Sequence, residues 1–505
     1  MAESTATRFE SSVRVPLHPY PDMSLLQQRV MLNNFEKKGH FYFSIDIHTM
    51  LDCGPSRGIP TDIPVEPEEE DSGESTDALR FAVRARARQE FFGGLIYNLE
   101  NGSLFYLDRA AFTAYWLVYS NRGRASITEQ LLRCGFSAKE ASSSVSALLD
   151  VKLIKLTKSV HDRETVGEEG DVEFYPPIDL SVPYLQSPFV VEIEGTHACF
   201  RTCKHCAYNS SPLADTSRDL TAEQWGQILH KLYNAGVLSV RFTGGDFLHR
   251  RDAFKILDYA ELIGMPFNVL SDTVAINKNA LARLGSYRSL EYIGSSLDGA
   301  DAETHDWLRG DGAYELLCER AVAIGRSGAR LSLGATLHKR NWRSVAEIGR
   351  LASRLGATFF EIGFLTPVGR AESLKEYVLD EAEIEAALDL YVEGIRAGDY
   401  LPMQSHYIER SKRPEPFRDV KMALGRLPYS TEWPFSRMRI KPNGITYTAG
   451  RVKASPLGFG TNILKESLQS VWRNSPNLVW LRDYADGARL HSLDIRGLPM
   501  EMRYE

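Results

Sequence analysis

Two hydrophobic periods alternate along the second half of this 505-residue chain. Six short runs rich in β-branched and aromatic residues stand out from about Phe189 onward: "FVVEIEGT", "LSVRFTGG", "PFNVLSD", "LEYIGSSLDG", "ARLSLGATLHKRN" and "ATFFEIGFLTPVGRA". Between them lie segments with helical apolar spacing, such as "TAEQWGQILHKLYNAG" and "AYELLCERAVAIGRSG". That rhythm predicts an α/β fold, a parallel sheet with helical crossovers. Polar residues or glycines sit just past each run, at the strand ends where such folds place their chemistry.

Ahead of this region, residues 79–160 read as a separate unit. "GGLIYNLENGSLFYLD" is two alternating runs around Asn101-Gly102, a pair that tolerates positive φ and so predicts a hairpin. Asp108 then caps a helix with Phe112, Tyr115, Trp116 and Tyr119 on one face. Two short helices follow, each announced by a capping box, Ser126 with Glu129 and Ser137 with Glu140. "VKLIKL" supplies a closing strand, which makes a small winged-helix-like domain. Residues 1–78 form an extension with one ordered piece around "FYFSIDIHTML" and an acidic linker, "IPVEPEEEDSGEST". Residues 425–505 form a final small α+β unit containing "RIKPNGITYTAG" and the helical "ILKESLQSVWRN".

Composition narrows the function classes. A net charge of −7 argues against general nucleic-acid binding, which shows as a basic surplus. No apolar run approaches the ~20 residues that cross a bilayer, and Met1–Val15 lacks the apolar stretch of a secretory signal. Six cysteines in so long a chain are too few for a disulfide framework. The expectation is a cytoplasmic enzyme with reduced thiols.

Three of those cysteines, Cys199, Cys203 and Cys206, fall in "EIEGTHACFRTCKHCAYNSS" as C-x3-C-x2-C, directly after the first strand. Structural zinc takes four protein ligands, while Cys53, Cys134 and Cys318 are scattered. Thiolates also hold iron–sulfur clusters, and three of them on a four-iron cubane leave one iron open. On the motif alone, zinc and a plain electron-transfer cluster remain alternatives. The run resembles that of the radical S-adenosylmethionine superfamily. The resemblance implies a partial (β/α)6 barrel over residues 185–400 with one [4Fe–4S] cluster on Cys199, Cys203 and Cys206. It further implies that the open iron chelates S-adenosylmethionine, whose reductive cleavage gives a 5′-deoxyadenosyl radical that abstracts hydrogen from a substrate.

Other positions match the same family. "FTGGD" resembles its Gly-Gly-Glu motif, which implies that Gly244, Gly245 and Asp246 hold the methionine ammonium, with Asp246 one methylene shorter than usual. Ser271-Asp272 stands where relatives read Thr-Asn. Ser296 in "SSLDG" matches a ribose or carboxylate contact, and Arg309 in "HDWLRG" a partner for the methionine carboxylate. His205 occupies a position whose ring lies against adenine, while Asn341 and Arg370 match later strand-end polar positions. Cys318 reads as a core residue by its helical spacing with Tyr314 and Ala321. Some relatives use a cysteine as hydrogen donor, which would make Cys318 catalytic.

The flanking units bear on the substrate. Residues 79–160 resemble the PqqD-like recognition element of maturases of ribosomally made peptides (RiPPs), which adds a leader peptide as a strand to a hairpin edge. A DNA-binding winged helix is the alternative, disfavoured by a third helix nearly free of Arg and Lys, "SAKEASSSVSALLD". Arg84, Arg86 and Arg88 share one strand face and are expected either to read acids on a leader or to be a solvated face. The tail resembles the SPASM extension of peptide-modifying radical enzymes but carries no cysteine after Cys318, so thiolates there cannot hold an auxiliary cluster. The expected function is modification of a precursor peptide, leader and core, by epimerisation, crosslinking or backbone rearrangement. The partners would be that peptide and an electron donor such as flavodoxin or ferredoxin, with no nucleic acid and no membrane. A radical enzyme for a protein or small molecule, in the manner of a sulfatase maturase, is the alternative; a non-catalytic metal-bound binding protein is a third class.

Overall fold

The computed structural model describes residues 29–35, 40–46, 78–90, 93–100, 104–118, 124–157, 172–175, 185–402, 437–447, 460–475 and 478–479. The acidic linker, Cys53, the Asn101-Gly102 turn and Tyr119 lie outside these residues. β1 (Arg29–Phe35) and β2 (His40–Asp46) pair as a two-stranded sheet. Two compact units divide between Gln186 and Ser187.

In the first unit, β3 (Ala78–Phe81) pairs antiparallel with β7 (Ile154–Thr157), the strand expected from "VKLIKL". A second sheet contains β4 (Ala85–Glu90), β5 (Gly93–Asn98), β6 (Leu104–Asp108) and β8 (Val172–Tyr175), in the order β6-β5-β4-β8. β5 and β6 are the arms of the expected hairpin. Three helices follow: α1 (Arg109–Val118), α2 (Arg124–Arg133) and α3 (Ala138–Asp150). Asp108 Oδ1 caps α1 by accepting the Ala111 N–H at 2.7 Å. Gly94 lets α1 sit on the sheet, since a Cβ there would lie 2.1 Å from the Phe112 ring. Leu79, Ile96, Phe105, Tyr115, Ile127, Leu131, Val145 and Leu148 close the core between sheet and helices.

Two expectations fail in this unit. The Ser137–Glu140 capping box forms, but Ser126 caps nothing. α2 begins at Arg124, whose guanidinium donates to Ser146 Oγ at 3.0 Å, so Ser126 already lies inside the first turn. Nor do Arg86 and Arg88 face solvent or a leader. The unexpected strand β8 pairs parallel with β4, and there Arg86 meets the Tyr175 hydroxyl at 2.9 Å and Glu173 at 3.3 Å. Arg88 meets Glu90 at 2.6 Å. Both arginines are fully buried, because a charge-bearing face alternates toward β8 rather than toward water.

In the second unit all six predicted strands appear: β9 (Val190–Thr196), β10 (Ser239–Gly244), β11 (Phe267–Leu270), β12 (Leu290–Ser296), β13 (Leu331–Leu337) and β14 (Phe359–Phe364). They are parallel and lie in chain order. The crossovers carry α4 (Ala222–Asn234), α5 (Ala253–Leu262), α6 (Lys278–Leu284), α7 (Ala302–Arg309), α8 (Ala313–Arg326) and α9 (Val345–Arg354), and α10 (Glu381–Ala397) follows β14. α4 shows the local logic: a Thr221–Gln224 capping box starts it, and Trp225, Ile228, Leu229 and Leu232 bury one face. Gly236, at φ 71°, follows its end.

The tail is not a separate layer. β15 (Arg437–Ile440) pairs parallel with β9, and β16 (Thr446–Tyr447) pairs antiparallel with β15, extending the same sheet to eight strands. The helix Leu468–Asn474, capped by Ser467, corresponds to "SLQSVWRN". Lys231 Nζ on α4 donates to the carbonyls of Ile463, Leu464 and Glu466 at 2.8–3.0 Å, tying the tail down. Across the sheet a polar layer runs from Arg439 through Glu192, Arg241 and Asn268 to Tyr292. Burial raises the Glu361 carboxyl on β14, while Arg241 on β10 and Arg437 on β15 lower it.

Candidate functional site

The thiol loop leaves β9 at its C-terminal end and is held at several backbone points. Cys199 N–H donates to Ser211 O at 3.1 Å, and Lys204 N–H to Leu308 O on α7 at 2.9 Å. Arg370, beyond β14, donates through Nε to Cys203 O at 2.8 Å and through its own N–H to Cys206 O at 3.1 Å. Arg370 therefore clamps the loop rather than reaching into the site. Arg201, within the loop, pairs with Asp272 at the end of β11 at 2.9 Å. The cysteine run is thus pinned to the ends of β9, β11 and β14 and to α7 before any ligand is considered.

The thiols themselves sit in partly dry surroundings. Burial pushes the Cys199 thiol up to about 12 and raises Cys203 against the pull of Arg309. Ser210 N–H donates to Cys206 Sγ at 3.4 Å. Groups held protonated by burial become thiolates when a cationic metal centre compensates the charge. Among the described residues no three His, Cys, Asp or Glu side chains converge as ligands of a single ion. A cubane instead takes one thiolate on each of three irons, so it calls for separated sulfurs.

The Gly-Gly-Asp segment closes neighbouring strand ends on one another. Gly244 has φ 129° and a Cβ there would lie 2.1 Å from Thr196 O; a Cβ on Gly245 would lie 2.2 Å from Ala198 O. The glycines let the end of β10 close onto the end of β9. Asp246 is buried, and its carboxylate is consumed within the protein. Oδ1 accepts Leu248 N–H at 2.9 Å, and Oδ2 accepts both the Ser271 hydroxyl and Asp272 N–H at 2.9 Å. Burial, with Asp272 beside it, pushes its carboxyl up to about 7. Asp246 and Ser271 therefore hold each other and lock β10 to β11.

Asn341 is likewise engaged: its amide donates to Asp298 O at 2.8 Å and Thr336 O at 2.9 Å, while its Oδ1 accepts His338 N–H at 2.8 Å. It fastens β13 to β12 and has no donor left for a cofactor. Arg309 does lie at the site, close to both Cys203 and His205; its Nη2 is 3.5 Å from His205 Nε2, and Cys203 Sγ is 3.9 Å from Arg309 O. Ser296 ends β12 half-buried. Cys318 lies on α8 beside Tyr314.

The residue that the sequence reading missed is Asp298, the acid of "SSLDG". It is fully buried and pairs with Arg309 Nε. Its Oδ1 accepts Thr336 N–H at 2.7 Å, and its own N–H donates to His305 Nδ1 at 3.0 Å. Burial opposes ionisation, but Arg309, His205 and His305 prevail and hold its carboxyl at about 2. Asp298 thus aims Arg309 from beneath. Beyond β11 and β13, which flank β12, Thr273 Oγ1 and His338 Nε2 are buried without protein partners, and His338 feels the Asp298 charge. Thr273 also holds φ 74°, costly for a β-branched residue. Unsatisfied polar atoms at these strand ends suit a polar ligand with several acceptors and donors.

Residues 193–352 match the model of the Radical SAM superfamily. The PqqA peptide cyclase of Rhizobium meliloti is 26% identical over 306 residues, covering 58% of this chain and 76% of that protein. The antilisterial bacteriocin subtilosin biosynthesis protein AlbA of Bacillus subtilis is 26% identical over 213 residues, 42% of this chain and 45% of its own. The fold resembles that of Streptococcus suis SuiB bound to S-adenosylmethionine, with a TM-score of 0.57, 16% identity, and coverage of 80% of this chain and 90% of that one. A further SuiB structure, with a TM-score of 0.53, is bound to the precursor peptide SuiA. Among the described residues no helix is long and apolar enough to cross a membrane.

Proposed function

We propose that this radical SAM enzyme, whose cofactors are a [4Fe–4S] cluster and S-adenosylmethionine, modifies a ribosomally made precursor peptide. What carries the reading is the pairing of a pinned three-thiol loop with relatives named for peptide work, the PqqA peptide cyclase and AlbA. In this reading Cys199, Cys203 and Cys206 hold the cluster in a partial (β/α)6 barrel. The cluster and cosubstrate supply hydrogen abstraction from the peptide. The chain's own residues do the rest. Arg309, aimed by Asp298, holds a carboxylate, and the unpartnered Thr273 and His338 atoms bind and orient polar groups. Asp246, Ser271, Asn341 and Arg370 keep the strand ends and thiol loop fixed, so that the abstracting group and the peptide meet without rearrangement.

The first unit then serves recognition as a winged-helix module. Its sheet ends in β6, which pairs on one side with β5 and has no strand on its other side among the described residues. A leader extends the sheet there as an added strand, using main-chain hydrogen bonds. Arg86 and Arg88 take no part, being already paired. The test is co-expression with any short peptide encoded beside this chain's gene, followed by mass spectrometry and chiral amino-acid analysis of that peptide. A defined mass or stereochemical change that needs Cys203 supports the reading. An unmodified peptide, with no leader binding by the full chain, refutes it.

A further inference from the structure

Where β9 runs out toward the thiol loop, an array of polar side chains is hydrogen-bonded together and serves none of the roles above. Glu194 is 1% exposed; its Oε1 accepts the Tyr447 hydroxyl, and its Oε2 lies 3.2 Å from His197 Nε2. Tyr447, from β16, places its hydroxyl 3.4 Å from that of Tyr208, which lies two residues beyond Cys206. Tyr208 accepts from Arg439 Nη1 at 2.8 Å and stacks on the His197 ring, with centroids 5.5 Å apart. Arg439 is fixed in turn by Glu192 at 2.6 Å.

Apolar side chains would fill this space without the cost of drying two phenols and two carboxylates, so the array calls for a chemical use. It sits at the C-terminal end of β9, and one of its phenols belongs to the loop that carries the thiols. Burial pushes the Tyr447 phenol well above its ordinary value, Tyr208 and Glu194 adding to this against the pull of Arg439, so the hydroxyl keeps its hydrogen. A phenolic O–H is weaker than an unactivated C–H and close in strength to a peptide Cα–H, so hydrogen transfer is downhill to an unactivated carbon radical and near balance to a backbone Cα radical.

We propose that Tyr447, hydrogen-bonded to Glu194, is the hydrogen-atom donor that returns hydrogen to a carbon radical in this site. The proposal rests on the radical reading of the catalytic unit, and it takes over the role that the sequence offered to Cys318. The Tyr447 O–H bond breaks homolytically, a C–H bond forms on the acceptor carbon, and a neutral phenoxyl remains. One electron from the low-potential carrier protein that also reduces the cluster, and one proton relayed from solvent through Glu194, restore the phenol. The substrate is then a peptide whose abstracted carbon regains hydrogen, the outcome of an epimerisation rather than of a net oxidation.

The test needs no peptide. Full-length protein loaded anaerobically with iron and sulfide is given S-adenosylmethionine and titanium(III) citrate in D2O, so that the acceptor is the 5′ carbon of the cleaved cosubstrate. Wild type is expected to yield 5′-deoxyadenosine carrying deuterium from the exchanged phenol, and Y447F to form the product but lose most of that label. Electron paramagnetic resonance of freeze-quenched wild type should show a phenoxyl radical whose spectrum narrows when the protein carries ring-deuterated tyrosine. That readout stands independently of the variant, and Y447F should lack the signal. C318A should keep the label. Retention of the label in Y447F, its loss in C318A, or a wild type without a phenoxyl signal overturns the assignment while leaving the radical reading intact. A wild type that makes no 5′-deoxyadenosine overturns both.

Discussion

Replacing Asp298 by asparagine removes one charge and almost no volume from the residue that ties β12, β13 and α7 together. The carboxyl is held at about 2 against an ordinary 3.8, which at about 1.4 kcal/mol per tenfold corresponds to about 2.5 kcal/mol favouring the ionised form. Removing one partner of a buried ion pair independently costs about 3–5 kcal/mol. The asparagine also turns an N–H toward Arg309 Nε, leaving two donors face to face. The expected loss is therefore about 3 kcal/mol at pH 7. The sign with pH follows from a depressed carboxyl: between pH 2 and 3.8 the unfolded chain binds the proton and the native one does not. The contribution is thus complete above pH 3.8 and disappears as pH falls toward 2. Urea unfolding of D298N, R309M and the double variant, following the transition of the catalytic unit, measures it. The double variant should recover at least about 1 kcal/mol relative to D298N, because the stranded cation is gone. A D298N loss below about 0.5 kcal/mol, or a double variant no more stable than D298N, would refute the ion-pair argument.

Three further outcomes are expected. His305 and His338, both lowered to about 4 chiefly by burial, stay neutral in the native state while the unfolded chain protonates below 6.5. These two groups therefore lower stability as pH drops from 6.5 toward 4, while Asp246, with its raised carboxyl, works the other way, so the readout is the difference. H338F should lose less stability than wild type between pH 7 and pH 5, and an identical change in both contradicts this. Gly244→Ala forces a Cβ against Thr196 O at positive φ, so a loss of about 1 kcal/mol or more is expected, with weakened S-adenosylmethionine binding in equilibrium dialysis. Unchanged stability and binding would show that the β9–β10 closure does not depend on that glycine. R86A strands the Tyr175 hydroxyl and Glu173, so amide exchange over Val172–Tyr175 should accelerate and the first unit should lose about 2 kcal/mol; undisturbed exchange there contradicts the pairing of β8 through Arg86.

The strands of the catalytic unit were legible because a parallel sheet demands continuous β-branched and aromatic runs, and each run in "VRF", "FNV" or "FFEI" is answered by a helical stretch. The thiol loop was legible because its spacing is local. What stayed hidden depends on partners distant in sequence. Asp246, Ser271 and Asn341 carry the right polarity at the right strand ends, yet Ser271 bonds to Asp246 and Asn341 to the Asp298 and Thr336 carbonyls, which only the register of the strands determines. Asp298 was passed over because a buried acid next to a glycine reads as a turn until Arg309, eleven residues later, is folded back onto it. Arg86 and Arg88 alternate like a solvated face, and nothing local announces that β8 will cover them. Tyr447 gave no signal at all, since its partner Glu194 belongs to a strand 253 residues earlier.

The central claim is that three thiolates leave one iron of a cubane for S-adenosylmethionine to complete. Mössbauer spectroscopy of protein loaded with 57Fe, recorded before and after adding S-adenosylmethionine, addresses it directly. The account predicts that about one iron in four changes its environment, and that C203A holds no such cluster. Irons indifferent to S-adenosylmethionine, or zinc bound in place of iron and sulfide, would contradict it.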